Sequence, residues 1–292
     1  MTTPRYGIAE WYGRPFTDLS PEERSQLAEH ALKADLEPPP SPFQPGQPTC
    51  SKRGGVCSMQ RYEDDEGRIG SALGIPTAFG PRRFGEGQVL VRWLAEVVGF
   101  SEEEAMVARE VPFMLSTNTS RPAGKIDLVV GRVAGEGLVW YGLEIQAVYF
   151  SGNKMELQFQ ALRDDQGERP PFPDRRRGPD WRSSGPKRLM PQLQVKVPTL
   201  RRWGSKMAVA VDRAFFDKIG GPSPVPSQDL GDGDIIWLVP EIKSDGRNGF
   251  QLARGHWEVL TLEASEDKLL AADALKREAF EQSLRARLEP LE

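Results

Sequence analysis

The sequence predicts an α/β fold built on a mixed sheet, with helices on both sides of the core and a loop-rich N-terminal subdomain. Three observations carry this. Runs rich in β-branched and aromatic residues recur at 125–150, 206–212, 234–240 and 257–263, a composition that suits a pleated, buried surface. Segments with helical spacing and helix-start signals lie between them, and the first run is long enough to fold back as a hairpin, which makes the sheet mixed. Ahead of these, "EPPPSPFQPGQPTCSKRGG" (37–55) is too rich in Pro and Gly for regular structure. The expected division is a helix and loop-rich subdomain over 1–80 and a core over 81–292.

In chain order, "SPEERSQLAEHALKADL" (20–36) reads as a helix with Ser20 as N-cap, Pro21 in the first turn and Glu23 completing a capping box. "EGQVLVRWLAEVV" (86–98) reads as a mostly buried helix, and "SEEEAMVARE" (101–110) as the start of another, with Ser101 and Glu104 at capping-box spacing. Residues 125–150 read as a long hairpin around a Gly-containing turn. "NKMELQFQALRDD" (153–165) is expected to be a helix packed behind that hairpin. The Pro/Arg-rich stretch 169–191 reads as an ordered loop, because Phe172, Trp181 and Leu189 interrupt it. "KMAVAVD" (206–212), "DIIWLVP" (234–240) and "WEVLTLE" (257–263) follow as strands, and 265–288 as one closing helix.

Composition excludes several classes. With 292 residues, 38% hydrophobic and 27% charged, the chain has the balance of a soluble globular protein. No apolar run approaches the ~20 residues that span a bilayer, and the N-terminus lacks a signal peptide's basic start and apolar stretch. Cys50 and Cys57 are the two cysteines, so no disulfide framework is indicated and a cytoplasmic location is expected. The charge is uneven. From Arg169 to Lys206 eleven Lys and Arg stand against Asp174 and Asp180 alone, a local +9 that leaves −13 for the rest of a chain totalling −4. A local excess of this kind is the footprint expected for a polyanion partner.

The hairpin carries the candidate chemistry. In an antiparallel pair, opposed positions have a constant sum. A four-residue turn at 134–137 sets Val133 opposite Leu138 and therefore Asp127 opposite Glu144. Opposed residues project from the same face with Cβ atoms about 5 Å apart, and the two-residue strand period adds Gln146 to that face. Two close carboxylates repel unless a cation neutralises them, and oxygen ligands at this spacing suit Mg²⁺, which takes one or two carboxylates, waters and phosphate oxygens. The competing reading is a solvent-facing hairpin whose polar residues alternate outward.

Asp127 followed by Glu144-Ile145-Gln146 resembles the PD-(D/E)XK nuclease signature, with Gln in the lysine place. A longer set of blocks, "GIAEWYG", "CSKRGGVCS", "RRFGE", "GKIDLVV", "LEIQAVYFSG", "WRSSGPKRLMPQL" and "PTLRRWGSKMAVAVD", resembles the NotI-type type II restriction endonucleases. The resemblance runs in blocks from about residue 5 to 216. It implies a PD-(D/E)XK core, Mg²⁺-dependent cleavage of double-stranded DNA at a palindromic site, a 3′-hydroxyl and 5′-phosphate product, and a homodimer. Asp127 and Glu144 become the metal ligands and Gln146 the residue in the lysine slot, orienting water rather than deprotonating it. Within the basic segment 169–206, Arg176, Arg177, Arg182, Lys187, Arg188, Gln192, Gln194 and Lys196 are the DNA-contact candidates. Arg and Gln suit guanine and adenine edges, and Lys suits phosphate.

The resemblance also implies a structural iron on four cysteines. Here Ser41 and Gly80 occupy two of those places, leaving Cys50 and Cys57, too few thiolates for a closed tetrahedral site. Glu86 and Glu96, where related nucleases place an extra carboxylate, read as solvated or capping residues. Two other functions fit the same sequence: a DNA-binding protein on this fold without catalysis, and a repair nuclease without sequence specificity.

Overall fold

Strand structure begins earlier than the sequence suggests. In a computed structural model describing residues 3–33, 35–36, 39–43, 54–119, 121–152, 154–246, 249–271 and 275–288, the first eighty residues form a four-stranded sheet as well as the expected helix. Its strands are β1 (Arg5–Trp11), the short β2 (Arg14–Pro15), β3 (Val56–Asp65) and β4 (Arg68–Ala78), and its order is β2-β1-β3-β4. Glycines mask these strands in the sequence, since Gly lowers strand propensity. At Gly7 a Cβ would stand 2.8 Å from Ile69 Cδ1, so the Ile69 side chain would have to shift to admit one. Beside this sheet lies α1 (Pro21–Leu32), with the capping box of Ser20 and Glu23 formed in both directions. Cys50 and most of the Pro/Gly-rich stretch 37–55 lie outside the described residues.

The central sheet has six strands in the order β12-β11-β10-β7-β6-β5. It is entered from α2 (Val89–Val97), which follows a 3₁₀ turn with a kink at Glu86 and Gly87. Next come β5 (Met106–Leu115), β6 (Pro122–Ala134) and β7 (Gly137–Ile145), each antiparallel to the one before. A two-stranded pair links β8 (Phe150–Ser151) to β9 (Gly178–Pro179), with α3 (Met155–Asp164) between them. The chain then climbs through α4 (Trp181–Ser184), a π turn (Gly185–Leu189) and α5 (Met190–Arg202) to β10 (Met207–Ala210). β10 runs parallel to both β7 and β11 (Ile235–Ser244), from which α6 (Arg213–Lys218) separates it. β12 (Phe250–Leu260) closes the sheet antiparallel to β11, and α7 (Leu262–Leu270) and α8 (Arg277–Arg285) follow.

Side-chain alternation puts helices on both faces, as expected. Ala208, Ala210, Ile236 and Leu238 meet Leu90, Trp93 and Leu94 of α2. Met207, Val209, Ile235 and Trp237 share the other cluster with Leu193, Val197 and Leu200 of α5 and with Phe215 and Phe216 of α6. Residues of the N-terminal sheet, among them Ile8, Trp11 and Met59, belong to that second cluster too. Each large apolar side chain so buried contributes roughly 1.5–3 kcal/mol, against the tenths of a kcal/mol that separate helix propensities. Packing therefore decides the elements.

Four local expectations are corrected on that ground. The helix expected over 101–110 is a single capped turn, with Ala105 N–H on Ser101 O at 3.0 Å, after which the chain becomes edge strand β5. Pairing with β6 captures it, and an edge position tolerates Pro112. The loop expected over 169–191 becomes helical from Trp181, where the Asp180 side chain accepts the Ser183 N–H at 2.9 Å. The expected closing helix is two, α7 and α8. α3 packs beside α1, with Phe159 stacked on Trp11 at 5.5 Å, rather than behind the hairpin. Among the described residues no helix is long and apolar enough to cross a membrane.

Candidate active site

β6 and β7 pair in the predicted register, Val133 opposite Leu138 and Leu128 opposite Leu143. The β6–β7 ladder ends at Leu128 and Leu143, while β7 continues alongside β10: Val209 is level with Glu144, and Gln146 N–H donates to Ala210 O at 3.0 Å. Asp127 and Glu144 face each other at this fork. The Asp127 carboxylate accepts the Ile145 N–H at 2.9 Å, and the Glu144 carboxylate accepts the Asp127 N–H. Asp127, Glu144 and Gln146 line one pocket with Lys187, Arg188 and Gln192. Gln146 Nε2 donates to Ala147 O at 2.5 Å.

Electrostatics at the fork are set by burial. Burial raises the Asp127 pKa, the Ile145 N–H and the Lys196 charge oppose the rise, and Glu110 adds to it. Glu144, 6% exposed, is pushed up to about 7, first by burial and then by the Asp127 charge, against the hydrogen bond and charge of Lys196. Lys196 Nζ lies 2.5 Å from Glu144 Oε1 with its side chain 4% exposed.

That contact revises the expectation for Lys196. It reaches inward to the Glu144 carboxylate from the buried face of α5 and is absent from the exposed basic surface. Arg177 is likewise buried, donating to Lys154 O at 3.3 Å. Arg176, Arg182, Lys187, Arg188, Gln192 and Gln194 remain exposed. Of these, Lys187 and Arg188 stand on the π turn and Gln192 one helical turn on, all at the pocket rim. Gln194, about 200° further round the helix, leaves that rim. Arg188 also lies over the Tyr149 ring, 4.8 Å from its centroid.

Sequence reading missed Glu110. It lies across β5 from Asp127, between the paired positions Arg109–Leu128 and Val111–Ile126, has φ +52° and lines a pocket with Asp127 on the α2 side. The helix expected there concealed it; a non-Gly residue in the left-handed region is a signal of constraint that only backbone geometry reveals. Glu86 and Glu96 are engaged elsewhere. Glu86 accepts hydrogen bonds from Arg83 and from the Leu252 N–H, and Glu96 pairs with Arg254 at the surface.

The places of the expected iron also come together. Ser41, Cys57 and Gly80 line one pocket with Tyr12, Phe43 and Arg83. A hydroxyl and a hydrogen stand where two thiolates are needed, so this set does not fit a four-cysteine site. Beside it lies a buried ionic network instead: Arg83 Nε donates to Glu10 Oε2 at 2.9 Å, Ser58 Oγ donates to the same oxygen at 2.5 Å, and the Arg83 guanidinium covers Phe43 at 4.4 Å.

A buried and a half-buried carboxylate at a sheet fork, under a rim of exposed cations, make the kind of site that suits a polyanion. The family model for the restriction endonuclease NotI matches residues 24–252, and the chain belongs to that family. Membership makes it a type II restriction endonuclease, a hydrolase that binds double-stranded DNA. No curated protein matches the chain.

Proposed function

We propose that the chain is a Mg²⁺-dependent endonuclease of the PD-(D/E)XK type that cuts both strands of a palindromic DNA site as a homodimer. The observation that carries this is the meeting of Asp127, Glu144 and Gln146 where the β6–β7 ladder ends, in one pocket with Lys187 and Arg188. The donor set fits the ion. Among the described residues no three His, Cys, Asp and Glu side chains cluster tightly enough to hold a metal, and two carboxylates completed by water and phosphate oxygens are what Mg²⁺ accepts. The Lys196 ammonium on Glu144 already marks the place as one that attracts a cation.

Asp127 and Glu144 would hold the ion, which when bound supplies water activation and polarisation of the scissile phosphate. Lys187 and Arg188 draw the backbone phosphates to the pocket mouth. Gln146 orients the attacking water by hydrogen bonding, since an amide is no base at neutral pH. The phosphodiester P–O3′ bond breaks as water's oxygen joins phosphorus, leaving a 5′-phosphate and a 3′-hydroxyl. Two equivalent half-sites in a palindrome match a two-fold dimer.

The test is cleavage of plasmid and phage DNA with Mg²⁺ and with EDTA. Asp127→Asn and Glu144→Gln should each lose cleavage by several orders of magnitude while folding and binding DNA, and Gln146→Ala should lose less. A folded Glu144→Gln protein that cuts at near the original rate would falsify the site. Binding without cleavage by the unaltered chain would instead mark a catalytically inactive DNA-binding protein.

A further inference from the structure

The third position of the hairpin motif holds Gln146, a neutral side chain engaged with Ala147 O. A positive charge is nevertheless present. Lys196 reaches Glu144 from α5 across 52 positions of sequence, and both partners are buried. Its charge acts on Asp127 as well. Its side chain is 4% exposed and it is not among the residues lining the pocket that holds Asp127, Glu144 and Gln146, so it meets Glu144 from the buried side and not from the pocket.

We propose that Lys196 is the built-in counter-charge of the site and makes tight divalent-metal binding depend on the DNA phosphate. The inference rests on the reading of Asp127 and Glu144 as metal ligands. With both carboxylates ionised and Lys196 charged, the site carries one negative charge. A dication turns this into an excess positive charge in a buried place, which is costly. One phosphodiester restores neutrality. Without Lys196 the two carboxylates and a dication balance with no DNA present. The sign survives the loss of Lys196's support for Glu144: removing the ammonium sacrifices one unit of attraction to the carboxylate and relieves two units of repulsion toward the dication at comparable range.

The experiment is Mn²⁺ binding to the DNA-free full chain, followed by titration calorimetry, for the unaltered protein and for Lys196→Met, Lys196→Gln and Lys196→Arg. The neutral variants should bind Mn²⁺ about tenfold or more tightly than the unaltered chain, and Lys196→Arg should stay close to it. Glu144→Gln should abolish the binding. Neutral variants that fold only when Mn²⁺ is added support the inference equally, because the dication has taken the ammonium's place. Unchanged or weaker Mn²⁺ binding by folded neutral variants overturns the inference, and so do variants unfolded even at saturating Mn²⁺. If Glu144→Gln leaves Mn²⁺ binding intact, or if no protein binds it, the metal-ligand reading of the hairpin fails as well.

Discussion

A single carboxylate can serve several elements at once, and Asp212 does. It caps α6 by accepting the Phe215 N–H at 2.8 Å and ties the end of β4 to the core by accepting the Ala78 N–H at 2.6 Å. Full burial pushes its pKa up to about 6, against the pull of those hydrogen bonds. A carboxyl raised above its unfolded value favours the fold when protonated. That contribution is complete below about pH 4 and is lost as pH rises to about 6. Asp212→Asn keeps one capping acceptor and cannot ionise, so its stability relative to the unaltered chain should improve between pH 4 and pH 7, by on the order of 2–3 kcal/mol at most. Urea unfolding of both proteins at the two pH values measures this; a constant difference would show that Asp212 does not titrate with folding.

The α4–π–α5 element gathers most of the exposed DNA-contact candidates. Its π turn sets Lys187 and Arg188 at the rim of the pocket that holds Asp127 and Glu144, while Lys196 and the apolar stripe of Leu193, Val197 and Leu200 face the sheet. Part of the segment's positive charge is paired with carboxylates elsewhere in the chain: Arg201 forms a two-point pair with Asp234, Arg169 pairs with Asp65 and Lys196 with Glu144. The rim residues should therefore carry the electrostatic part of DNA binding. Lys187→Ala and Arg188→Ala should each weaken binding on every DNA sequence and lower the slope of log affinity against log salt by roughly one. An unchanged slope, or a change confined to one sequence, would reassign them to base reading or remove them from the interface.

Across the whole molecule, the N-terminal sheet is joined to the central sheet by shared core and by buried charge. Glu10 and Arg83 are both fully buried, and Glu86 carries the network on to the Leu252 N–H in β12. Burial leaves the Glu10 carboxyl raised even with Arg83 beside it, so removal of the guanidinium strands a charge in the core. Arg83→Met should cost about 3–5 kcal/mol, with Glu10→Gln added in the same chain recovering part of the loss. Denaturation by urea would measure both; a cost near zero for Arg83→Met would mean that the apolar contacts alone join the two sheets.

The features legible in the residues alone are local ones. The hairpin register, and with it the opposition of Asp127 and Glu144, follows from strand period and turn length; the Ser20–Glu23 capping box and strands β10 and β11 follow from equally short-range rules. Packing decided the rest. Residues 106–115 became a strand because β6 offered a pairing partner, and residues 181–202 became helical because Leu189, Leu193 and Val197 found the sheet. Lys196 looked like one more base in a basic run; its role as partner of Glu144 exists only once α5 has crossed the sheet beside β10. Glu110 shares the fork with Asp127 only because β5 lies against β6. Short-range rules set which side chains share a strand face, but a charge's partner is chosen by burial, where leaving it alone costs several kcal/mol, and burial belongs to the assembled fold.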